Sequence, residues 1–184
     1  MYKMNGRAIL YIACSLDGFI AGENEDLSFL DSVEKQGEDY GYSAFMKSID
    51  TVIMGKTTYD WIMRNAPEYQ HEDKETYIVT HQKQPVSSHI NESRLKYFSG
   101  DLAALVEKLK SDGRHLFVEG GSQIILQLME RKLIDEYYIA IIPVLLGNGT
   151  PLFKPGFPMQ RLKLIDIKEY NTGLVHLHYQ HKKE

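Results

Sequence analysis

Phe117-Val118-Glu119-Gly120-Gly121-Ser122-Gln123 decides how this chain folds. An apolar run stops at a double glycine. Ile124, Ile125, Leu128 and Met129 follow at helical spacing, so a helix is expected over 122–132. A strand that turns through glycines into a helix leaves bare backbone N–H groups at the helix start. With the helix dipole behind them, those groups form a seat for a phosphate or another anion. A purely structural glycine turn is the bland alternative.

Upstream, the continuous apolar run over 8–14 predicts a strand buried on both faces. Ser15-Leu16-Asp17-Gly18 breaks it, and an acidic, loop-like stretch over 22–37 offers Leu27, Phe29 and Leu30 as anchors. A helix is expected over 40–49, with Tyr42, Phe45, Met46 and Ile49 on one stripe. A short strand over 51–54 ends at Gly55 and passes into a helix over 57–63. Strands over 76–80 and 95–98 follow. Next comes an amphipathic helix over 101–110, with Ser99 or Asp101 as its cap and Gly113 as its stop. The opening stretch is then a strand over 115–118.

Downstream, the strand over 137–145 carries Pro143, which places its end at an edge or bulge. The segment 162–169 alternates roughly, with Leu162 and Leu164 on one face and Ile165 and Ile167 on the other. The segment 174–179 alternates more cleanly. Asn171-Thr172-Gly173 joins the two as a turn, which predicts an antiparallel hairpin. Strand–helix–strand order at the front implies right-handed parallel crossovers. The expectation is an α/β domain spanning 1–184, with a mixed, mostly parallel sheet, helices on both faces and an antiparallel C-terminal hairpin.

The chain has 184 residues, 43% apolar and 25% charged, enough to bury a core without disulfides. A net charge of -4 and the lack of a basic, aromatic-interleaved block argue against nucleic acid as partner. Cys14 is the only cysteine, so no internal disulfide forms, and its apolar surroundings suit a buried structural thiol better than a nucleophile. No signal-peptide core precedes residue 8, and the longest apolar stretch, 139–146, is too short to span a bilayer. A cytoplasmic protein without membrane contact is the default. The histidines lack metal-ligand spacing, so no metal is expected.

A second strand–glycine–helix junction is Met54-Gly55-Lys56-Thr57-Thr58. Ligands of open α/β sheets sit beyond the carboxyl ends of the strands, so two anion seats on one rim suit a pyrophosphate or dinucleotide. Lys56 adds a point charge, and Thr57 and Thr58 add hydroxyl donors. A P-loop is excluded because Asp50 stands where that motif needs glycine, and no G-x-G-x-x-G follows any strand. Thr80-His81-Gln82-Lys83 places a histidine and a lysine where the extra phosphate of NADPH would meet them. A polar surface turn is the alternative. Asp17 reads either as a turn residue or as part of a substrate pocket. Asp39 reads either as a helix N-cap or as a carboxylate that binds a nitrogen heterocycle and steers its proton.

In order along the chain stand Ser15-Leu16-Asp17-Gly18-Phe19-Ile20-Ala21, then 50–60 around Gly55-Lys56-Thr57-Thr58, then Glu119-Gly120-Gly121. Leu133-Ile134-Asp135-Glu136, 143–149 and Pro151-Leu152-Phe153 complete the set. Together they resemble the dihydrofolate reductase-like superfamily, and more closely the reductase domain of bacterial riboflavin biosynthesis and its stand-alone relatives.

The resemblance covers nearly the whole chain and implies a three-layer fold with NADPH across the carboxyl edge of the sheet. By the same resemblance, Gly55, Lys56 and Thr57 match the first phosphate-binding turn, and Thr80 and His81 the adenosine end. Gly120, Gly121, Ser122 and Gln123 match the turn beside the pyrophosphate and nicotinamide. Asp39 precedes the Gly-Lys-Thr turn by the same distance as the substrate-binding carboxylate of dihydrofolate reductases. Asp39 is thus the candidate catalytic and substrate-binding residue, with Asp17 lining the same pocket.

Two departures concern folate. Glu34 stands where those enzymes usually carry a tryptophan. Tyr69 stands where an arginine holds the folate glutamate, and Arg64 is the nearest arginine. A small pyrimidine-like heterocycle is therefore favoured, with reduction of 5-amino-6-(5-phosphoribosylamino)uracil as the implied activity. Weak dihydrofolate reduction and a non-catalytic NADPH-binding module are the rivals. A homodimer is implied by the relatives and is compatible with the apolar strands near the C-terminus.

Overall fold

The computed structural model describes residues 6–65, 71, 73–81 and 94–182. Ten strands and four α-helices are present among them: β1 (Ala8–Ser15), β2 (Phe19–Ala21), α1 (Tyr42–Lys47), β3 (Thr51–Gly55), α2 (Lys56–Asn65), β4 (Glu75–Val79), β5 (Leu95–Phe98), α3 (Leu102–Ser111), β6 (Leu116–Gly120), α4 (Ser122–Glu130), β7 (Glu136–Ile142), β8 (Thr150–Pro151), β9 (Leu162–Glu169) and β10 (Val175–His181). Eight strands form one sheet in the order β5-β4-β3-β6-β1-β7-β10-β9. Neighbours from β5 to β7 run parallel. The last two pairings, β7–β10 and β10–β9, are antiparallel. This is the mixed sheet with a C-terminal hairpin that the patterning predicts.

Alternation along the central strands sorts the core into layers. Leu10 and Cys14 of β1 and Val118 of β6 meet Val106 and Leu109 of α3 and Ile125 and Leu128 of α4. Ile9, Val52, Met54 and Phe117 face the other way, against Phe45 of α1 and Tyr59 of α2. Asp101 caps α3 by accepting from the N–H groups of Ala103 and Ala104, which decides between the two candidate caps. Burial pushes the Cys14 thiol up to about 11, in keeping with a structural role. Among the described residues, no helix is long and apolar enough to cross a membrane.

Four local differences from the sequence pattern have physical causes. Helix α1 is shorter than 40–49 because Tyr40 and Gly41 take φ of 54° and 88°, which a right-handed helix excludes. The loop over 22–37 contains two 3-10 turns, Glu23–Glu25 and Ser28–Val33, and the second buries Phe29 and Val33 against Ala140, Ile142 and Leu174. A two-stranded sheet, β2 with β8, had no local signature because it joins segments far apart in sequence. Gly149 permits it: its φ is 139°, and a Cβ there would lie 2.1 Å from the Ala21 carbonyl oxygen.

The fourth difference is in β9. Its register against β10 shifts between His178 and Tyr179, so Ile167 pairs with Leu177 and Leu164 with Tyr179. Leu177 and Tyr179 share a face by alternation, and so Ile167 lies with Leu162 and Leu164 rather than opposite them.

Candidate functional site

The carboxyl ends of β1, β3, β4 and β6 open onto one cavity of about 870 Å³. This is the rim where open parallel sheets hold ligands. Helices α2 and α4 both begin there, directly after Gly55 and Gly121. The two turns touch: a Cβ on Gly55 would meet Ile124 Cγ1 at 3.3 Å, and one on Gly121 would meet Thr58 Oγ1 at 3.4 Å. No side chain caps α4; the N–H groups of Ile124 and Ile125 donate to the Gly121 carbonyl, and those of Ser122 and Gln123 open the helix ahead of them. Gly120 has a φ of 107°, a conformation that suits glycine, and the Gly120–Gly121 peptide is cis.

The cavity brings together Gly55, Lys56 and Thr57, then Thr80 and His81, then Gly121, Ser122 and Gln123. Gly120 is buried just behind the wall and does not line it. Ser122 uses its hydroxyl to donate to the Pro151 carbonyl at 2.6 Å, which fastens α4 to β8. Lys56 is not a bare point charge. Its Nζ donates to both carboxylate oxygens of Asp60, at 2.6 and 2.7 Å, one turn along α2. Lys154 also lines the cavity and carries no ion pair among the described residues. Gln82, Lys83 and Tyr69 lie outside the described residues.

The two aspartates singled out from sequence are placed differently. Asp39 is exposed and does not line the cavity. It accepts from the N–H groups of Gly41 at 2.9 Å and Ser43 at 3.0 Å, bracing the start of α1 from two residues ahead of Gly41, which holds the N-cap position itself. Hydrogen bonding from Ser43 and Gly41 holds its carboxyl below the usual carboxylate range. Asp17 is also exposed and outside the lining. It accepts from Ser15 Oγ at 2.6 Å, Gly147 N at 2.7 Å and Leu146 N at 3.1 Å. Those bonds, that of Ser15 foremost, hold its carboxyl down to about 2. Both acids serve nearby backbone amides, and that is why they turn away from the cavity.

Among the described residues, three carboxylates line the cavity: Asp60, which pairs with Lys56; Glu25, which pairs with Arg64; and Glu119 of β6. His71, almost fully buried, meets its Oε1 at 3.0 Å through Nε2 and stands edge-on to Phe117. Glu119 Oε2 is buried and has no partner among the described residues. Sequence patterning gave Glu119 no role, although an acid next to a rim glycine in an apolar strand is a usable signal. Ile12, Ile20, Leu27, Leu30 and Trp61 supply an apolar wall beside it. Arg64, the nearest arginine to the expected folate clamp, pairs with Glu25 at 2.9 Å.

Residues 8–176 match the family described as RibD C-terminal domain. The uncharacterized protein YwjB of Bacillus subtilis (strain 168) is 35% identical, over 96% of this chain and 98% of its own length. A putative riboflavin biosynthesis protein from Shewanella sp. PV-4 has the same architecture. Its TM-score is 0.88 at 27% identity, covering 96% of this chain and 99% of that one. Dihydrofolate reductase from Enterococcus faecalis, solved with NADP(H), superposes with a TM-score of 0.68 at 12% identity over the full length of both chains. The last comparison shows the shared fold, a dihydrofolate reductase-like one.

Proposed function

Because this chain belongs to the RibD C-terminal domain family, we propose that it is an NADPH-dependent reductase of a small nitrogen heterocycle, of the 5-amino-6-(5-phosphoribosylamino)uracil reductase type. One observation carries the reading: two uncrowded helix starts, behind Gly55 and Gly121, face a single cavity on the carboxyl rim of the sheet.

The residues present fit the cofactor. Gly55, Lys56 and Thr57 with Gly121, Ser122 and Gln123 would hold the pyrophosphate through backbone N–H groups and the Thr57 hydroxyl. Thr80 and His81 would hold the adenosine end. When bound, NADPH supplies a hydride. The chain itself orients and encloses the acceptor. Ile12, Ile20, Leu27, Leu30 and Trp61 exclude water from a flat ring. Glu119, steadied by His71, accepts hydrogen bonds from ring or amino N–H groups. Positioning provides the larger part of the rate. Arg64, the arginine nearest the expected folate clamp, is already engaged by Glu25, which favours a pyrimidine as substrate.

Titrating NADPH with protein while following its fluorescence tests cofactor binding. Mixing the binary complex with the uracil substrate, other pyrimidines, pterins and dihydrofolate then tests turnover. Oxidation is expected with the uracil substrate well above that with dihydrofolate. Unchanged NADPH fluorescence at every protein concentration would sink the reading. Binding without oxidation by any heterocycle would reduce it to a nucleotide-binding module.

A further inference from the structure

A second, smaller cavity lies at the opposite edge of the sheet from the rim cavity, where β7 begins and β10 ends. Its volume is about 230 Å³, and Lys132, Met159, Gln160, Arg161, His181 and Lys182 line it. This lining contains no carboxylate. In the rim cavity each of Asp60, Glu25 and Glu119 stands beside a basic side chain. Here Lys132, Arg161 and Lys182 have no ion pair among the described residues. Asp135 is close by, since its carbonyl accepts from His181 N at 2.8 Å. Its carboxylate is taken by Lys110 at 2.6 Å and Ala8 N at 2.8 Å. Three unopposed cations in one small hollow run against a chain whose net charge is -4.

The backbone holds these groups together. Lys182 N donates to the Arg161 carbonyl at 2.9 Å, which sets the two residues side by side. Lys132 N and Gln160 Nε2 both donate to the Met129 carbonyl, at 3.1 and 2.8 Å. They cover a last-turn carbonyl of α4 whose partial negative charge would otherwise repel an anion. Leu133 N donates to the Leu128 carbonyl at 2.9 Å, so Lys132 occupies the closing position of α4 where glycine is the usual residue. Its φ is 54°, a conformation that side chains disfavour. A cation is thus kept where the backbone alone would favour glycine. Gln160 Oε1 and His181 Nε2 are buried without a hydrogen-bond partner among the described residues. Such atoms mark places where a bound ion or molecule completes the bonding.

We propose that this hollow binds a phosphate group, free or as the monoester of a small molecule, at a site separate from the rim cavity. A phosphate monoester brings roughly two negative charges and three acceptor oxygens. Arg161 can engage two of those oxygens in parallel, and Lys132 and Lys182 act as point charges. The volume falls below the roughly 300 Å³ at which pockets begin to hold drug-sized ligands, which excludes a dinucleotide. Met159, 79% exposed, gives the short organic part of an ester an apolar flank.

Titration calorimetry on the full chain with inorganic phosphate and with glycerol phosphate, alongside thermal melting, is the test. Wild type is expected to bind phosphate with a Kd below about 1 mM and to melt higher in its presence. Arg161→Gln and Lys132→Gly should each weaken binding roughly tenfold. Without phosphate, Lys132→Gly should melt no lower than wild type, because its φ suits glycine, so its lost affinity does not come from unfolding. Gly121→Val, at the rim cavity, should leave phosphate affinity unchanged. Tighter binding of glycerol phosphate assigns the site to an ester, equal or weaker binding assigns it to the free ion, and both support the proposal. No binding of either compound up to about 10 mM overturns it. So does binding that Gly121→Val abolishes while Arg161→Gln and Lys132→Gly leave it intact.

Discussion

Gly121 and Thr58 stand against each other: a Cβ on the glycine would lie 3.4 Å from the threonine Oγ1. The starts of α2 and α4 therefore border one gap, and the width of that gap depends on residue 121 having no side chain. Gly121 itself has a φ of -70°, within the range that residues other than glycine adopt.

Gly121→Val should thus fold normally and lose affinity for NADPH. The expected loss is at least about tenfold, or about 1.4 kcal/mol. NADPH fluorescence titration alongside thermal melting checks both parts. Normal affinity would mean that the nucleotide lies elsewhere.

Glu119→Gln should keep NADPH affinity near wild type and lower turnover of the heterocycle by on the order of a hundredfold. His71→Phe should act in the same direction and also destabilise the fold by about 1–3 kcal/mol, since it leaves the half-buried Glu119 Oε1 without its His71 partner. Steady-state kinetics with separate kcat and KM, and urea unfolding, distinguish the two effects. Equal turnover in wild type and Glu119→Gln would remove the carboxylate from the site.

Asp17 should leave a signature in acid. Its folded carboxyl sits at about 2, below the ordinary value of about 3.9. A lowered folded value means that its stabilising contribution is complete above the ordinary value and fades as pH falls toward about 2. Asp17→Asn should therefore flatten the fall in urea midpoint across that window, while NADPH affinity stays unchanged at neutral pH. An identical pH slope in both proteins would show that Asp17 does not tie its turn to the loop at Leu146 and Gly147.

Gly149→Ala should be among the most damaging single-methyl additions in the chain. The new Cβ would lie 2.1 Å from the Ala21 carbonyl oxygen at a φ that disfavours any side chain. A loss of about 2–4 kcal/mol is expected in urea unfolding. Ile20, Ala21 and Thr150 border the cavity, so the same change should also weaken nucleotide binding.

The large sheet was legible because its strands are short apolar runs that stop at glycine, proline or polar turns. Gly55 and Gly121 announced the rim in the same way, since only a glycine turn passes so abruptly from strand to helix. Features that depend on long-range pairing were not visible. Nothing local tells β2 that it will find β8, and nothing near Glu119 tells it that His71 will stand behind it.

Asp39 shows a different limit. An acid at a helix start suits a cap and a ligand equally well, and the nearby amides of Gly41 and Ser43 took it. In β9, simple alternation split four aliphatics between two faces, and one shifted register gathered three of them on one.

The ion pair between Lys56 and Asp60 has a consequence for phosphate binding. A guest arriving at the start of α2 finds its lysine already occupied by an internal counter-ion. A group bearing two negative charges and several acceptor oxygens can engage the helix N–H groups and draw Lys56 away together. Because the pair is part-exposed and spans one helical turn, it is worth about 0.3–0.5 kcal/mol, so under the proposed reading a multiply charged phosphate would draw Lys56 from Asp60 at small cost.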